Sequence, residues 1–274
     1  MGVSRIEARF ADLKRKGRAA FVPYVVAGDP DPDTSWRILE ALPGAGADLI
    51  ELGLPFSDPM ADGPSVQRGA ARALAAGADT AGVLALARRF RDVDAATPII
   101  LMGYYNPVLS FGLDAFAEAA AAAGIDGLIM VDVPPEEADP LADALEAHDL
   151  ALIRLATPTT DEARMAIVAR RVRGFVYFVS VTGVTGGKEA DADAIAAQVL
   201  RVREVAGLPV AVGFGVRTSE RAAEVARIAD ATVVGSALVD EISTALALNR
   251  DPAAKVLDRA AAMAQAVHSA RARG

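Results

Sequence analysis

Residues 47–53 read ADLIELG, a short and almost continuous apolar run that carries one glutamate, Glu51, near its end. Near-continuous hydrophobicity without strict alternation is typical of a parallel β-strand that is covered on both faces. Similar runs recur along the chain with helical stretches between them, and each predicts a strand of the same kind. The eight runs lie at residues 20–27, 47–53, 98–103, 126–131, 151–156, 174–180, 208–213 and 230–235.

Eight strand–helix units with no linker between them predict an α/β fold, a closed (β/α)₈ TIM barrel that forms a single domain over residues 1–274. The helical stretches carry suitable boundaries, as in DTSWRILEALPGAGA (residues 33–47), where an aspartate precedes an apolar stripe and glycines follow it. A doubly wound open sheet is the alternative fold, because strand number alone does not prove closure. An extra N-terminal helix, RIEARFADLKRKG (residues 5–17), is expected to cover one end of the barrel.

Two connections are longer than a crossover helix requires, those after strands two and six. The first begins with LPFSDPMADGPSVQ (residues 54–67), and the second reads VTGVTGGKEADADA (residues 181–194). Both leave the carboxyl ends of strands, which is the face where the active sites of barrels lie. Long loops in compact domains are usually functional, so both are predicted to belong to the active site.

Size and charge narrow the classes of protein that the chain represents. It has 274 residues, 53% of them hydrophobic, which is enough for a substantial core. Its apolar runs fall short of the roughly 18 residues that span a bilayer, and its first residues lack a signal peptide's apolar stretch. These features predict a soluble cytoplasmic protein. A net charge of −8 argues against a nucleic-acid partner, because binding to phosphate backbones depends on a basic surface.

The residue types that are rare or missing restrict the chemistry. The chain has no cysteine, which excludes disulfides, thiolate nucleophiles and zinc–thiolate sites. Its two histidines, His148 and His268, lie in alanine-rich helical stretches, where a solvated or capping role is expected. The sequence therefore predicts chemistry by carboxylates, hydroxyls or bound cofactors, with no metal site.

Two carboxylates mark the candidate active site. Glu51 is expected to point into the barrel mouth among apolar neighbours, where burial without a cation raises its pKa and suits it to donate and then accept a proton. The alternative is a structural glutamate paired with a distant arginine or lysine. Asp62 follows a loop that Pro55 and Pro59 stiffen, which fixes the position of the second acid. By itself Asp62 also suits a loop cap, because ADGPS fits a turn and a helix start.

The stretch ELGLPFSDPMADGPSVQ (residues 51–67) closely resembles the signature of the tryptophan synthase alpha chain family. The resemblance extends over essentially the whole chain, through FVPYVVAGDP, VTGVTG, GFGV and VVGSA. It implies a lyase of tryptophan biosynthesis that cleaves indole-3-glycerol phosphate to indole and glyceraldehyde 3-phosphate by a retro-aldol step, without metal or organic cofactor. It also implies that Glu51 is the general acid–base and Asp62 its assisting carboxylate.

Glycine-rich loops after strands seven and eight predict a phosphate site, because barrels often bind phosphate with backbone amides there. GFGVRTS places Gly213 and Gly215 where the backbone approaches a ligand, and GSA places Gly235 and Ser236 at a helix start. Each cluster alone also suits an ordinary barrel turn. Gly186, in the loop after strand six, is similar to a family residue that also reaches the phosphate.

The indole ring requires an apolar slot. Phe21, Leu101 and Ile153, from strands one, three and five, are candidates by position, although they also suit ordinary filling of the barrel. The resemblance implies that Phe214 packs over the glycerol phosphate. It also implies that Tyr177, in strand six, lies near the catalytic glutamate and orients the substrate or the carboxylate; a core aromatic residue is the alternative.

Thr185 resembles the family threonine whose hydroxyl meets the catalytic aspartate when the loops after strands two and six close. Closure of this kind would exclude water from the site. Two departures from the family pattern concern the fine shape of the site: Val181 stands where other members carry an arginine, and the tyrosine pair 104–105 follows strand three. Neither departure affects the two carboxylates.

The resemblance implies a partner, the tryptophan synthase beta chain, in an α₂β₂ heterotetramer. The beta chain binds pyridoxal phosphate and receives the indole. Pro55, Asp58, Asn106 and Pro134 match the docking region of the family. A free-standing indole-3-glycerol-phosphate lyase, fully active without a partner, is one alternative, and a non-catalytic phosphate-binding barrel is another.

Overall fold

The computed structural model of the protein describes residues 2–179, 192–213 and 215–271, which contain nine β-strands and twelve α-helices. The strands are β1 (Ala20–Val26), β2 (Ile50–Gly53), β3 (Ile99–Gly103), β4 (Gly127–Met130), β5 (Ala151–Ile153), β6 (Leu155–Ala156), β7 (Val176–Val179), β8 (Val210–Gly213) and β9 (Ala231–Val234). The helices are α1 (Gly2–Arg15), α2 (Pro32–Ala41), α3 (Pro64–Ala75), α4 (Thr80–Val93), α5 (Tyr105–Phe111), α6 (Leu113–Ala122), α7 (Asp139–Ala147), α8 (Glu162–Ala169), α9 (Ala192–Ala206), α10 (Ser219–Ile228), α11 (Ser236–Ala247) and α12 (Pro252–Ser269). A short 3₁₀ helix, Pro135–Glu137, lies between β4 and α7.

The strands form one parallel sheet that closes on itself. Their order is β5-β4-β3-β2-β1-β9-β8-β7-β6, and its two ends, β5 and β6, are separated in the chain only by Arg154. The Arg154 carbonyl accepts a hydrogen bond from the Tyr177 amide at 3.0 Å, which joins this segment to β7. The predicted (β/α)₈ TIM barrel is therefore confirmed. The fifth predicted strand is divided at Arg154 because its first part pairs with β4 and its second part with β7.

Side chains of the strands alternate between two cores, because successive residues of a strand point to opposite faces of the sheet. Phe21, Leu52 and Leu101 belong to a large cluster that includes the buried faces of the surrounding helices. Val22 and Ile100, each one position away in sequence, belong to a second cluster that fills the interior of the barrel. Burial on both sides explains why the strands are apolar throughout.

Helix α1 closes the amino-terminal end of the barrel, as the sequence predicts. Its buried side chains join the interior cluster, and they are Val3, Ile6, Phe10 and Leu13. The Phe10 ring lies 5.7 Å from the ring of Phe175, just before β7. Arg5 pairs with the buried carboxylate of Asp126, just before β4. Apolar and ionic contacts thus hold α1 against the strand starts.

The connection after β2 is only partly loop. Residues 54–63 lack regular structure, and the rest is occupied by α3 and α4. Asp79 caps α4, since its Oδ1 accepts a hydrogen bond from the Gly82 amide at 2.7 Å. Taken singly, no helix in the described ranges is long and apolar enough to cross a bilayer, whereas α3 and α4 reach that threshold only as a pair bent by 96°. The loop predicted after strand six lies outside the described residues up to position 191.

Candidate active site

Glu51 lies in the interior of the barrel. In the parallel register Tyr24 of β1 and Ile100 of β3 stand beside it, and Ile100 belongs to the interior cluster. The Glu51 side chain is 2% exposed. Among the described residues its Oε1 atom has no hydrogen-bond partner. A buried carboxyl oxygen without a partner is costly for a fold, which favours a chemical role over a structural one.

Burial raises the pKa of Glu51 to about 8, and the charge of Asp62 adds to the rise. Both effects disfavour the ionised form, the first by removing water and the second by repulsion between like charges. Within the described part of the chain no arginine or lysine offsets them. Glu51 is therefore mostly protonated at pH 7 and, having donated its proton, becomes a base that can recover one.

Asp62 is held at the mouth by its own loop and by Tyr104. The Tyr104 hydroxyl donates to Asp62 Oδ2 at 3.1 Å and accepts from the Ala61 amide at 2.9 Å. Gln67, in the first turn of α3, donates from its side-chain amide to the Asp62 carbonyl at 2.8 Å. The ring of Phe56 lies 5.2 Å from that of Tyr104. These contacts fix both the loop and the carboxylate.

The pKa of Asp62 is raised by burial, and the hydrogen bond from Tyr104 acts in the opposite direction. The two carboxylates therefore differ in surroundings: Glu51 has an unpartnered oxygen, and Asp62 has a hydroxyl donor that stabilises its charged form. Such a difference favours proton donation by Glu51 and the charged form for Asp62. Sequence reasoning did not connect Tyr104 to Asp62, although its position just after β3 places it at the same mouth.

Replacing Tyr104 with phenylalanine is expected to lower kcat/KM about tenfold, because one hydrogen bond that orients a charged group is lost. The pKa of Asp62 should rise, since the hydrogen bond that lowers it is gone. The acid limb of the pH–rate profile then moves to higher pH. Tyr105→Phe is the matched control, because the Tyr104 hydroxyl is the one bonded to Asp62. An unchanged acid limb in Tyr104→Phe would contradict this role.

Tyr24 and Tyr177 flank Glu51 inside the barrel. Burial raises the pKa of each phenol, and the charge of Glu51 adds to the effect on both. Glycines at strand ends make room for the two hydroxyls: a Cβ at Gly53 would lie 2.4 Å from the Tyr24 hydroxyl, and one at Gly213 would lie 2.0 Å from the Tyr177 hydroxyl. Tyr24 was missed by sequence reasoning. Its register beside Glu51 is the signal that identifies it.

Two of the three residues predicted to form the indole slot point the wrong way. Leu101 pairs with Leu52, the residue after Glu51, and both pack outward against helices. Phe21 lies three positions before Tyr24, which faces inward. An odd separation along a strand places Phe21 on the opposite, outward face, and it belongs to the same cluster as Leu101. The prediction is wrong for Phe21 and Leu101, because a slip of one position along a strand exchanges the two faces.

Ile153 does face the interior, but it is fully buried in the centre of the interior cluster. The half-buried interior residues nearer the carboxyl ends of the strands are better placed to line an apolar slot. They are Met102, Val131, Leu155 and Val179. Together with Tyr24 and Tyr177 they surround the space above Glu51.

The predicted phosphate residues lie where two strands end. Gly235 is the cap residue that precedes α11, and Ser236 opens the helix. The first amides of α11 have no partner within the helix, and they lie at the positive end of its dipole. Gly215 adopts φ +76°, a left-handed conformation that favours glycine. The other predicted contacts, Thr185, Gly186 and Phe214, lie outside the described residues.

The residues predicted to dock a partner divide into two groups. Asp58, Asn106 and Pro134 are exposed in loops or first turns that follow β2, β3 and β4. Pro55 is buried directly after β2, so the structure contradicts its predicted contact with a partner. Its neighbour Leu54 explains the burial, since the Leu54 amide donates to the Met102 carbonyl at 2.8 Å and keeps the chain against β3.

Within the described ranges no group of three or more histidine, aspartate or glutamate side chains is arranged to hold a metal ion. A TIM barrel with a buried glutamate of raised pKa and a second carboxyl group at its mouth has the arrangement of the barrel enzymes that work by acid–base catalysis. The family model for the tryptophan synthase alpha chain matches residues 10–268. The chain belongs to the tryptophan synthase alpha chain family.

Curated relatives and solved structures agree with this assignment. The chain is 64% identical to the tryptophan synthase alpha chain of Phenylobacterium zucineum (strain HLK1) and 61% identical to that of Caulobacter vibrioides (strain NA1000 / CB15N), each over 99% of this chain and 98% of the relative. It is similar to the crystal structure of tryptophan synthase subunit alpha from Legionella pneumophila str. Paris, with a TM-score of 0.90, 41% identity, and coverage of 96% of this chain and 98% of that one. The chain is thus a lyase of tryptophan biosynthesis, the alpha subunit that cleaves indole-3-glycerol phosphate.

Proposed function

We propose that Glu51 is the proton shuttle for this cleavage and that Asp62 stabilises the positive charge that develops on the indole ring. The observation that carries the proposal is the buried carboxyl of Glu51, whose Oε1 has no hydrogen-bond partner among the described residues and whose pKa lies near 8. A group of that kind is protonated before the reaction and basic after it. The other buried carboxylates of the described residues, Asp29, Asp48 and Asp126, are each paired with an arginine.

The reaction follows from these two groups. Glu51 donates its proton to the indole carbon that bears the glycerol chain, and positive charge appears at the ring nitrogen. Ionised Asp62 accepts a hydrogen bond from the ring N–H and stabilises that charge. The Glu51 carboxylate then takes the proton of the adjacent side-chain hydroxyl. The carbon–carbon bond breaks, its electrons return to the ring, and indole and glyceraldehyde 3-phosphate form while Glu51 is again protonated.

The phosphate would bind at the amides that begin α11 and at the turn around Gly215. The positive end of the α11 dipole supports this proposal, and so does the glycine backbone at Gly235 and Gly215, which lets a ligand approach closely. Anchoring the phosphate there would hold the scissile bond above Glu51. Met102, Leu155 and the other half-buried interior residues would contact the ring.

The pH dependence follows from the two carboxyls. Glu51 must be protonated to begin the reaction, and its pKa of about 8 predicts that kcat/KM falls above about pH 8. Asp62 must be ionised, and its pKa is raised from its ordinary value, so the acid limb should lie above that of an exposed aspartate. A pH–rate profile with a broad maximum near neutrality tests this. A plateau that continues to pH 10 would contradict the assignment of Glu51.

The partner would be a tryptophan synthase beta chain in an α₂β₂ complex, seated over the barrel mouth. Exposed Asp58, Asn106 and Pro134 support this site, and two large apolar side chains beside them add to it. Met60 is 80% exposed and Leu109 is 51% exposed. Exposed large apolar side chains that lie together are typical of a surface that binds a partner. Pyridoxal phosphate would belong to the beta chain, with no organic cofactor on this one. A cytoplasmic location accords with this assignment.

The experiment that tests the proposed function measures indole release from indole-3-glycerol phosphate with and without an added beta chain. The alpha-subunit proposal expects weak activity alone and strong activation by the partner. Full activity without a partner would instead indicate a free-standing lyase. Met60→Ser, which removes an exposed apolar side chain, should weaken activation while largely preserving the activity of the isolated chain.

A further inference from the structure

A second concave site lies at the amino-terminal end of the barrel, opposite Glu51. It is a cavity of about 540 Å³ bounded by the end of α1, the turn after α9, the start of β9 and the end of α12. Its apolar lining consists of Phe10, Leu13, Leu208 and Pro209. A cavity of this size accommodates a small organic molecule. Nothing in the proposed lyase reaction uses it.

Positive charge dominates this cavity. Four basic side chains line it, Lys14, Arg18, Arg203 and Arg271, against the single carboxylate of Asp230. The chain as a whole carries a net charge of −8, so a cavity with four basic side chains and one carboxylate in its lining runs against the overall composition. A concave surface lined by charges of one sign raises the local concentration of ions of the opposite sign.

The single carboxylate is already engaged. Asp230 Oδ2 accepts hydrogen bonds from Arg203 Nε at 3.0 Å and from the Val210 amide at 2.9 Å. Arg271 donates from Nε to the Ala226 carbonyl at 2.7 Å, a neutral acceptor that leaves its charge unpaired. Asp230 therefore balances Arg203, and Asp48 pairs with Arg18 from outside the lining, which leaves the charges of Lys14 and Arg271 in the cavity.

Two basic groups of the cavity retain unused hydrogen-bond donors. Arg18 donates from Nη2 to Asp48 at 2.7 Å, but its buried Nε has no partner within the described residues. Lys14 is exposed, and in the described part of the chain its ammonium group makes neither a hydrogen bond nor an ion pair. A buried donor without an acceptor carries a free-energy cost that a bound anion would remove.

We propose that this cavity binds a small organic dianion, a molecule with two negative charges on a flat apolar body. The charges would meet Lys14 and Arg18 on one side and Arg271 on the other, and the body would rest on Phe10 and Leu208. Such a ligand would connect α1 to α12, two helices at opposite ends of the chain. The site is separate from the phosphate site proposed at α11, because it lies at the other end of the strands.

Naphthalene-1,5-disulfonate is a suitable probe, since it is flat, apolar and doubly charged at all working pH values. Titration into the isotope-labelled protein, followed by amide NMR spectra at low salt, is expected to give saturable shifts at Lys14, Gly207 and Leu208. Lys14→Glu should raise the dissociation constant about tenfold. Lys16→Glu is the matched control: it is the same charge reversal two residues away, at an exposed lysine that does not line the cavity, and it should change the constant by less than about twofold.

Three results would overturn the proposal. Shifts confined to Gly235 and its neighbours would place the probe at the barrel mouth. Equal weakening by Lys14→Glu and Lys16→Glu would indicate attraction to the general surface charge. Inorganic sulfate binding as tightly as the disulfonate would show that the apolar lining contributes nothing. Because both lysines are exposed, both variants should fold, and thermal unfolding checks this directly.

Discussion

Indole release by the Glu51→Gln variant should fall by at least about 10³-fold, while indole-3-glycerol phosphate still binds with nearly unchanged affinity. Glutamine has the shape of glutamate and fits the same buried position, but it cannot donate and recover a proton. The side chain is 2% exposed, so water cannot easily replace it as the proton donor. Turnover and substrate binding measured separately distinguish the two effects. Loss of binding in parallel with turnover would indicate a structural glutamate.

The same variant should be more stable than the wild type above about pH 5. The pKa of Glu51 rises from 4.5 to about 8 on folding. Between these two pH values Glu51 is ionised in the unfolded chain and protonated in the folded chain. Glu51 therefore lowers the free energy of unfolding as pH rises through this window, and the penalty is complete above pH 8. Removing it should gain up to about 4 kcal/mol at pH 8 and almost nothing at pH 4. Urea unfolding at both pH values measures the difference. A variant less stable at pH 8 would contradict the raised pKa.

The second large effect is expected from Asp62→Asn, which should lower kcat about 10²-fold or more with little change in stability. An amide cannot offer the negative charge that stabilises a cationic ring, although it can still accept a hydrogen bond from Tyr104. The loss should fall on kcat more than on KM, because the charge develops only during the reaction.

Asp58→Asn is the matched control for this prediction. Asp58 lies in the same loop, is exposed, and bonds to Ser57 instead of facing the interior. The isolated Asp58→Asn chain should retain its activity. If both substitutions lowered kcat equally, the effect would belong to the loop as a whole, and the specific role of Asp62 would be rejected.

The barrel fold and the position of Glu51 could be predicted from the sequence, because each depends on a strong local pattern. Eight apolar runs predict eight strands, and the division at Arg154 changes only which neighbours the fifth one pairs with. Glu51 stands out because an acid within an apolar run has few structural uses. The inward direction of its side chain was predictable for the same reason.

The residues that line the site were harder to predict from the sequence, because strands covered on both faces have apolar residues at nearly every position. Sequence alone then does not show which residues point inward, and Phe21 and Leu101 were assigned to the wrong face. Parallel register resolves the question: Glu51 points inward, so its neighbour Tyr24 in register does as well. The hydrogen bond from Tyr104 to Asp62 joins residues 42 positions apart and depends on how a loop folds. Local patterns carry no information about such a contact.

The position of α1 has one further consequence. Because this helix and the apolar cluster above it fill the base of the cylinder, with Ile6 and Leu13 fully buried, an oily product released above Glu51 meets packed side chains below it and leaves by the opening at the carboxyl ends of the strands. Whatever is seated over that opening receives the product before bulk solvent does.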